Sequence, residues 1–427
     1  MTTIFINSYR FSAPFDPDDE QSLVFRIVAD DNVGADGSDV GPWTTRIGAL
    51  TDNSPWSFSS KPVLKTSIIN GHKIVRFGGF PNMMRADQPV VGADVLVFVV
   101  GKITGIAANS PVLTIHKEDA EDSDSSEEGL FYQEGHADGG TFISTYANNA
   151  RRAQGLHPKV GVPFIFCGKF DGSENTNFLV DYPSLSVACT NSFNGTRIGL
   201  ASQHTGGGYS NWSQIDLAEV MVLESSDDAL REDVVEYLST QYAIPLPRVL
   251  ITLGDSITAA GAWVENNFLP LYTAGDMYID NLAVGGHNLD QVAADALAAD
   301  IYTRISSRAN PAKTVVFVWE YVNAKNAGNT DQQIVDKTAA ICALVRAAGA
   351  KALVATDFHD ATSSVNCQGA STLMAAQWST FADGIVDLNL QSLRNDSNNN
   401  SDTTHLTSVG NAIVAPLVKS AVDAIIA

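Results

Sequence analysis

The sequence predicts a multidomain chain, an all-β sandwich over residues 1–244 followed by an α/β domain with a parallel sheet over 245–427. Three observations carry that prediction. The length of 427 residues exceeds what one hydrophobic core ordinarily organises. The apolar runs change grammar part-way along, from short strands cut by turn residues to strands alternating with helical periods. The change falls at "IPLPR" (244–248), where two prolines end a helix and stiffen the connection.

In the first part the expected strands are "SLVFRIV" (22–28), "HKIVRFGG" (72–79), "DVLVFVV" (94–100), "PFIFCGKF" (163–170), "TRIGLAS" (196–202) and "IDLAEVMVLE" (215–224). Gly, Asn, Asp, Ser and Pro separate them, and many short strands joined by turn chemistry read as a sandwich. One helix closes this part, "DDALREDVVEYLSTQYA" (227–243). Leu230, Val234, Val235 and Leu238 recur at helical spacing, and Asp227 and Asp228 suit its amino-terminal end.

After the prolines come the strands "RVLITL" (248–253), "MYIDNLAV" (277–284), "TVVFVW" (314–319), "KALVAT" (351–356) and "GIVDLN" (384–389). Helices are expected near 290–303, 330–348, 370–382 and 407–426, the last with Thr407 as N-cap. Strand–helix alternation of this kind gives a parallel sheet covered on both faces, which binds ligands at the carboxyl ends of its strands.

Composition narrows the function classes. An apolar fraction of 44% and a charged fraction of 17% describe a globular chain. The net charge of −22 argues against nucleic acid or an anionic membrane as partner, since phosphates want clustered Lys and Arg. "MTTIFINSYRF" lacks the basic and apolar regions of a secretion signal, and the apolar stretch 94–107 is interrupted by Lys102 and glycines, too short to span a bilayer. Cys167, Cys189, Cys342 and Cys367 show no zinc-type spacing and read as free thiols, with Cys167–Cys189 the one pairing to check. No metal or organic cofactor is implied.

The strand ends hold the chemistry. After the first strand stands Gly254-Asp255-Ser256; after the second, "NLAVGGHN" with Gly285, Gly286 and His287; after the third, "WEYVN" with Glu320, Tyr321 and Asn323; after the fourth, "DFHD" with Asp357, His359 and Asp360. Asp402 and His405 lie three apart just before the last helix. A serine hydroxyl becomes a nucleophile when a base takes its proton, and a carboxylate on the other ring nitrogen fixes a histidine for that task. The set therefore reads as Ser256 nucleophile, His405 base and Asp402 orienting acid. The N–H groups of Ser256 and Gly286 and the Asn323 amide are the candidate oxyanion donors. Asp255, Gly285, His287, Glu320, Tyr321 and His359 are expected to line the cleft. A plain surface turn remains the alternative for Ser256 taken alone, and a second, decoy-like dyad for His359.

"GDSIT", "NLAVGG", the asparagine after the third strand and "DxxH" before the last helix, in that order, resemble the SGNH (GDSL-type) hydrolase family over residues 248–427. The resemblance implies a three-layer flavodoxin-like fold and a serine esterase. The sequence departs from the family pattern at Ala283, where the first glycine of the second block is usual, and at Tyr321 and Ala324, which replace the glycine and aspartate of the third. Tyr321 is accordingly expected to place a bulky ring at the substrate cleft. Upstream, "VVGADVLVFVV", "RIGLAS" and "NWSQIDLAEVMVLES" look like a concanavalin A-like (laminin G-like) jelly roll, as in phage structural proteins. Together these resemblances imply removal of O-acetyl groups from a cell-surface polysaccharide by a phage tail component, in a homo-oligomer or virion assembly, released by lysis. The alternatives are an inactive binding or structural tail protein and a lipid or small-ester hydrolase.

Two further features read as structural. The acidic stretch "EDAEDSDSSEE" (118–128) is a solvated loop without calcium-loop spacing. Of Trp43, Trp56 and Trp212, which could stack on sugars, two are expected in the core.

Overall fold

In the computed structural model the apolar runs of the first half pair into antiparallel sheets, and those of the second half into one parallel sheet. The structure describes residues 15–426 except 41–42, 44, 48–60, 80–83, 87–89, 106–109, 117–126, 136–140, 148–149, 154–159, 184–186, 189–192, 196, 206–207, 260–266, 273–275, 309, 360–362, 364, 395–401 and 403. Trp56, Cys189, Asp360 and residues 118–126 of the acidic stretch, all singled out above, lie outside the described residues. The chain divides into two units, Met1–Val180 with Ser186–Pro245, and Asp181–Leu185 with Leu246–Ala427.

In the first unit, Asp94–Ile103 and Gln214–Leu223 form the centre of the larger sheet, paired antiparallel with Val99 opposite Val220. Both strands are buried along nearly their whole length, which is why they read as continuous apolar runs. Pro163–Asp171 and Glu174–Leu179 extend the sheet on one side, and Leu23–Val28 and Thr45–Ile47 on the other. A second antiparallel sheet runs through Thr141–Ala147, Glu127–Gly135, Ser110–His116 and Arg197–Leu200. The helix Asp228–Gln241 starts where the acidic pair predicts, with the Ala229 N–H donating to the Asp227 carboxylate at 2.9 Å. Buried charge pins the chain after that helix to the sheet. Glu219 accepts from Arg26 Nε at 2.8 Å and from the Tyr242 hydroxyl at 2.8 Å. Trp43 is a core residue, its indole N–H donating to the Val28 carbonyl. Cys167 is buried and free.

The second unit is built from β1 (Arg248–Gly254), β2 (Met277–Asn281), β3 (Thr314–Trp319), β4 (Lys351–Ala355) and β5 (Gly384–Val386), all parallel, in the order β2-β1-β3-β4-β5. That is the flavodoxin-like order, with its switch point between β1 and β3. The helices are α1 (Ser256–Ala259), α2 (Leu289–Ala298), α3 (Ile301–Ser306), α4 (Val322–Asn326), α5 (Asp331–Ala347), α6 (Gln368–Gln377), α7 (Gln391–Arg394) and α8 (Ser408–Ile425). The helix expected over 290–303 is two helices, because Asp300 takes left-handed backbone angles (φ 50°) and breaks the ladder between α2 and α3. The second and fifth strands end earlier than their apolar runs. Leu282 and Val284 continue past β2 as a loop bonded to the Thr252 and Gly254 carbonyls, and the Thr356 hydroxyl collects the Leu388 and Asn389 N–H groups beyond β5. Segment 181–185 is part of this unit through Asp181, which pairs with the buried Arg308 at 2.9 Å.

Among the described residues α8 is the one helix long and apolar enough to cross a membrane. Gly410, Asn411, Val414, Ala415, Val418 and Val422 form its buried stripe against β4 and β5, at the three-and-four spacing of an amphipathic core helix.

Gly254 shows why β1 ends as it does. A Cβ there would lie 2.3 Å from the Trp319 carbonyl and 2.5 Å from the Thr258 hydroxyl. Glycine lets β1 run against the end of β3 while the chain turns into α1. Gly254→Ala is therefore expected to destabilise the second unit by about 1–3 kcal/mol, measured as a lower thermal or urea midpoint; an unchanged midpoint would show that β3 yields freely.

Candidate active site

Asp255 is the N-cap of α1. Its Oδ1 accepts the Ile257 N–H at 2.9 Å, and its carbonyl accepts from Thr258 and Ala259. This fixes Ser256 at the first helical position, half-exposed, with a backbone N–H that has no intrahelical acceptor. The loop before α8 is shaped in the same economical way. Asp402 Oδ1 accepts the N–H groups of Thr404 (3.0 Å) and His405 (2.6 Å), and Thr407 caps the helix by accepting from Gly410.

These two turns meet. Ser256 Oγ lies 2.9 Å from His405 Nε2, and His405 Nδ1 lies 2.7 Å from Asp402 Oδ2. The carboxylate assigns the ring proton to Nδ1 and leaves Nε2 free to accept the serine proton. Burial works against the Asp402 charge, but the hydrogen bonds from the His405 ring and from the His405 and Thr404 N–H groups outweigh it and hold the carboxyl below its ordinary range. The arrangement can therefore deprotonate a hydroxyl nucleophile and hold the resulting imidazolium.

The glycine turn stands beside the serine. A Cβ on Gly285 would touch Ser256 Cβ at 3.7 Å, whereas Gly286 has open space around it and a positive φ of 82°. A side chain at Gly285 would pack against Ser256. His287 follows, half-exposed, its Nδ1 2.6 Å from Asp295 Oδ2. The amide nitrogen of Asn323, expected as an oxyanion donor, donates instead to Asp255 Oδ2 at 3.0 Å and to the His287 carbonyl at 3.3 Å. In this geometry it ties the ends of β1, β2 and β3 together.

Four residues expected to line the cleft are instead buried: Asp255, Glu320, Tyr321 and His359, each at 2% exposure or less. Tyr321 turns inward and its hydroxyl donates to the Ala355 carbonyl at 2.6 Å, so its ring does not occupy a substrate cleft. Glu320 Oε1 accepts the Asn323 and Ala324 N–H groups, while Oε2 has no partner. Burial first, then the Asp255 and Asp357 charges, push this carboxyl up to about 8. Burial, with the Asp357 charge, likewise raises Asp255 to about 6, against the bond from Ile257. Spacing did not reveal this acid layer, because Asp255, Glu320 and Asp357 come from three separate strand ends. Among the described residues, no group of three or more His, Cys, Asp or Glu side chains could hold a metal ion.

No protein-family model matches the sequence, and no curated protein does. Solved structures do. An acetyl xylan esterase, AlAXEase, is 19% identical over 40% of this chain and 98% of its own, with a TM-score of 0.33. The family 3 carbohydrate esterase of Clostridium thermocellum is 16% identical over 42% and 98%, TM-score 0.33. The protein YXIM_BACsu from Bacillus subtilis is similar over more of this chain, 82% of it and 84% of its own, at 14% identity and TM-score 0.34.

The buried layer has a pH signature. Glu320 titrates near its ordinary 4.5 when unfolded and at about 8 when folded, so between those values the folded chain binds the extra proton. Stability from this group is then greatest at low pH and falls as pH rises through about 8. Glu320→Gln keeps the acceptor for Asn323 and Ala324 but cannot ionise. The melting temperature of the variant minus that of wild type should climb from pH 5 to pH 9; a flat difference would refute the raised carboxyl.

Proposed function

We propose that the second unit is a serine ester hydrolase of the SGNH type. The observation that carries this is the continuous relay Ser256 Oγ–His405 Nε2, His405 Nδ1–Asp402 Oδ2, at 2.9 and 2.7 Å. Ser256 attacks an ester carbonyl as His405 takes its proton. The tetrahedral oxyanion is met by the N–H groups of Ser256 and Gly286, while Asn323, bonded to Asp255 and the His287 carbonyl, braces the same edge. His405 then returns the proton to the leaving alcohol, and water repeats the sequence on the acyl-enzyme. Asp402 keeps the imidazole in the required tautomer throughout. The inward course of Tyr321 removes the reason for reading this unit as a blocked scaffold.

In this reading the substrate is an O-acetylated polysaccharide at a cell surface. The first unit is a concanavalin A-like jelly roll that binds it, and the chain is a phage tail component. What supports that part is the motif resemblance, together with the antiparallel sheets of the first unit and the acidic balance of the whole chain, which suits a neutral, glycan-like substrate. Removal of the nucleophile is the direct test. Ser256→Ala should lower hydrolysis of p-nitrophenyl acetate by about 10³-fold or more, towards background, and equal rates for variant and wild type would sink the hydrolase reading. For the substrate and location, purified virions should contain this chain and release acetate from intact O-acetylated polysaccharide. Virions without it, or a protein that prefers lipid esters, would remove that part alone.

A further inference from the structure

Beneath the relay lies a second histidine–aspartate pair that the proposed chemistry does not use. His359 is fully buried, with Nδ1 2.5 Å from Asp357 Oδ1 and Nε2 3.0 Å from the Thr404 carbonyl. Thr404 belongs to the loop that carries the relay, and its own N–H donates to Asp402 Oδ1. The same peptide segment is thus held at its N–H by the orienting acid and at its carbonyl by a ring from below.

With Asp357 as a carboxylate, proton counting sets the state of that ring. A carbonyl oxygen only accepts, and a carboxylate only accepts. A neutral imidazole has one N–H and can serve one of them; the imidazolium has two and serves both. The surroundings favour the charge. Asp255 follows β1 and Asp357 follows β4, and both are buried and act on the buried His359. Burial alone would lower the basicity of His359, yet the Asp357 charge and hydrogen bond, with Thr404 and Asp255 behind them, raise it. The ring cannot swing, because Phe358 stacks on it at 4.1 Å and Gln368 and Cys367 hold the backbone carbonyl of His359.

We propose that His359 is a positioning residue, a buried imidazolium clamped by Asp357 that tethers the Thr404 carbonyl and so sets His405 at hydrogen-bonding distance from Ser256. The inference rests on the hydrolase reading of Ser256. Without the tether the Thr404 carbonyl loses its bond to the buried ring, and a displacement of about 1 Å at His405 is enough to cost on the order of 10²-fold in rate.

Two measurements on the full chain test it. In NMR spectra of isotope-labelled histidine, one of the eight imidazoles should carry protons on both ring nitrogens at pH 7.5, and that signal should vanish in His359→Gln. In steady-state hydrolysis of p-nitrophenyl acetate, His359→Gln and Asp357→Asn should each lower kcat about 10- to 100-fold with KM within about threefold, and labelling of Ser256 by a fluorophosphonate should slow by the same factor. A wild-type spectrum in which every imidazole is singly protonated overturns the proposal. So does a folded variant with a lower melting temperature but unchanged kcat and labelling rate, which is what a merely structural buried residue would give. If a variant does not fold, the wild-type spectrum decides. If wild type does not hydrolyse esters at all, the hydrolase reading fails by itself, and the tether is read from the His405 ring signals. Those move in Asp357→Asn if Thr404 is held from below and stay in place if it is not.

Discussion

Ser256 Oγ meets His405 Nε2 across 149 residues of chain, and the second unit is arranged so that this one contact can form. A parallel sheet delivers every strand to the same edge, so the turn after β1 and the loop before α8 open on one side. Each end is then fixed by a carboxylate acting on backbone N–H groups. Asp255 caps α1 under Ser256, and Asp402 gathers Thr404 and His405. Gly254 is the steric condition for the first of these turns, since the Trp319 carbonyl leaves no room for a side chain. Lose Asp255 or Gly254 and the hydroxyl and the ring separate, although nothing in the triad itself has changed.

Below that edge the chemistry is of a different kind. Asp255, Glu320, Asp357 and His359 are all withdrawn from water, where like charges cannot all be carried together. The layer resolves this by keeping protons. Glu320 is raised to about 8 and Asp255 to about 6, while His359 gains basicity beside Asp357. Two carboxylate oxygens, Glu320 Oε2 and Asp357 Oδ2, are buried without a partner. An apolar layer would be cheaper in stability. What the polar layer supplies is a set of directed bonds to Asn323, Ala324 and Thr404 that apolar side chains could not make.

Sequence and structure agree where periodicity or a cap speaks. The alternating β and α runs after residue 248, the caps at Asp227 and Thr407, and the three-residue spacing of Asp402 and His405 were all legible, because each is a local pattern with one physical outcome. Burial at the strand ends was not. Tyr321 and Glu320 follow directly on β3 and look like edge residues in one dimension. Yet Tyr321 reaches the Ala355 carbonyl on the neighbouring strand, and Glu320 folds back on the start of α4. Periodicity gives the position of a residue along a strand but not whether the chain beyond the strand folds over it. The inclusion of residues 181–185 in the second unit was hidden for the same reason, since the Asp181–Arg308 pair joins residues 127 apart. Asp300 is a smaller instance, a single left-handed residue splitting a helix whose apolar period runs through unbroken.

The relay itself is exposed, His405 at 42% and Asp402 at 54%. In water two unit charges 4 Å apart attract by only about 1 kcal/mol, and exposed ion pairs contribute little. The charge on Asp402 cannot by itself hold an imidazole in place against solvent and thermal motion. Orientation has to come from bonds with direction, among them those of the two N–H groups of the loop on one side and of the buried ring to the Thr404 carbonyl on the other. The two histidine–aspartate pairs thus divide the work by solvation. In the proposed hydrolase the outer pair stays wet, where it can exchange protons with a substrate, and the inner pair is dry and keeps its proton so that the outer one stays in line.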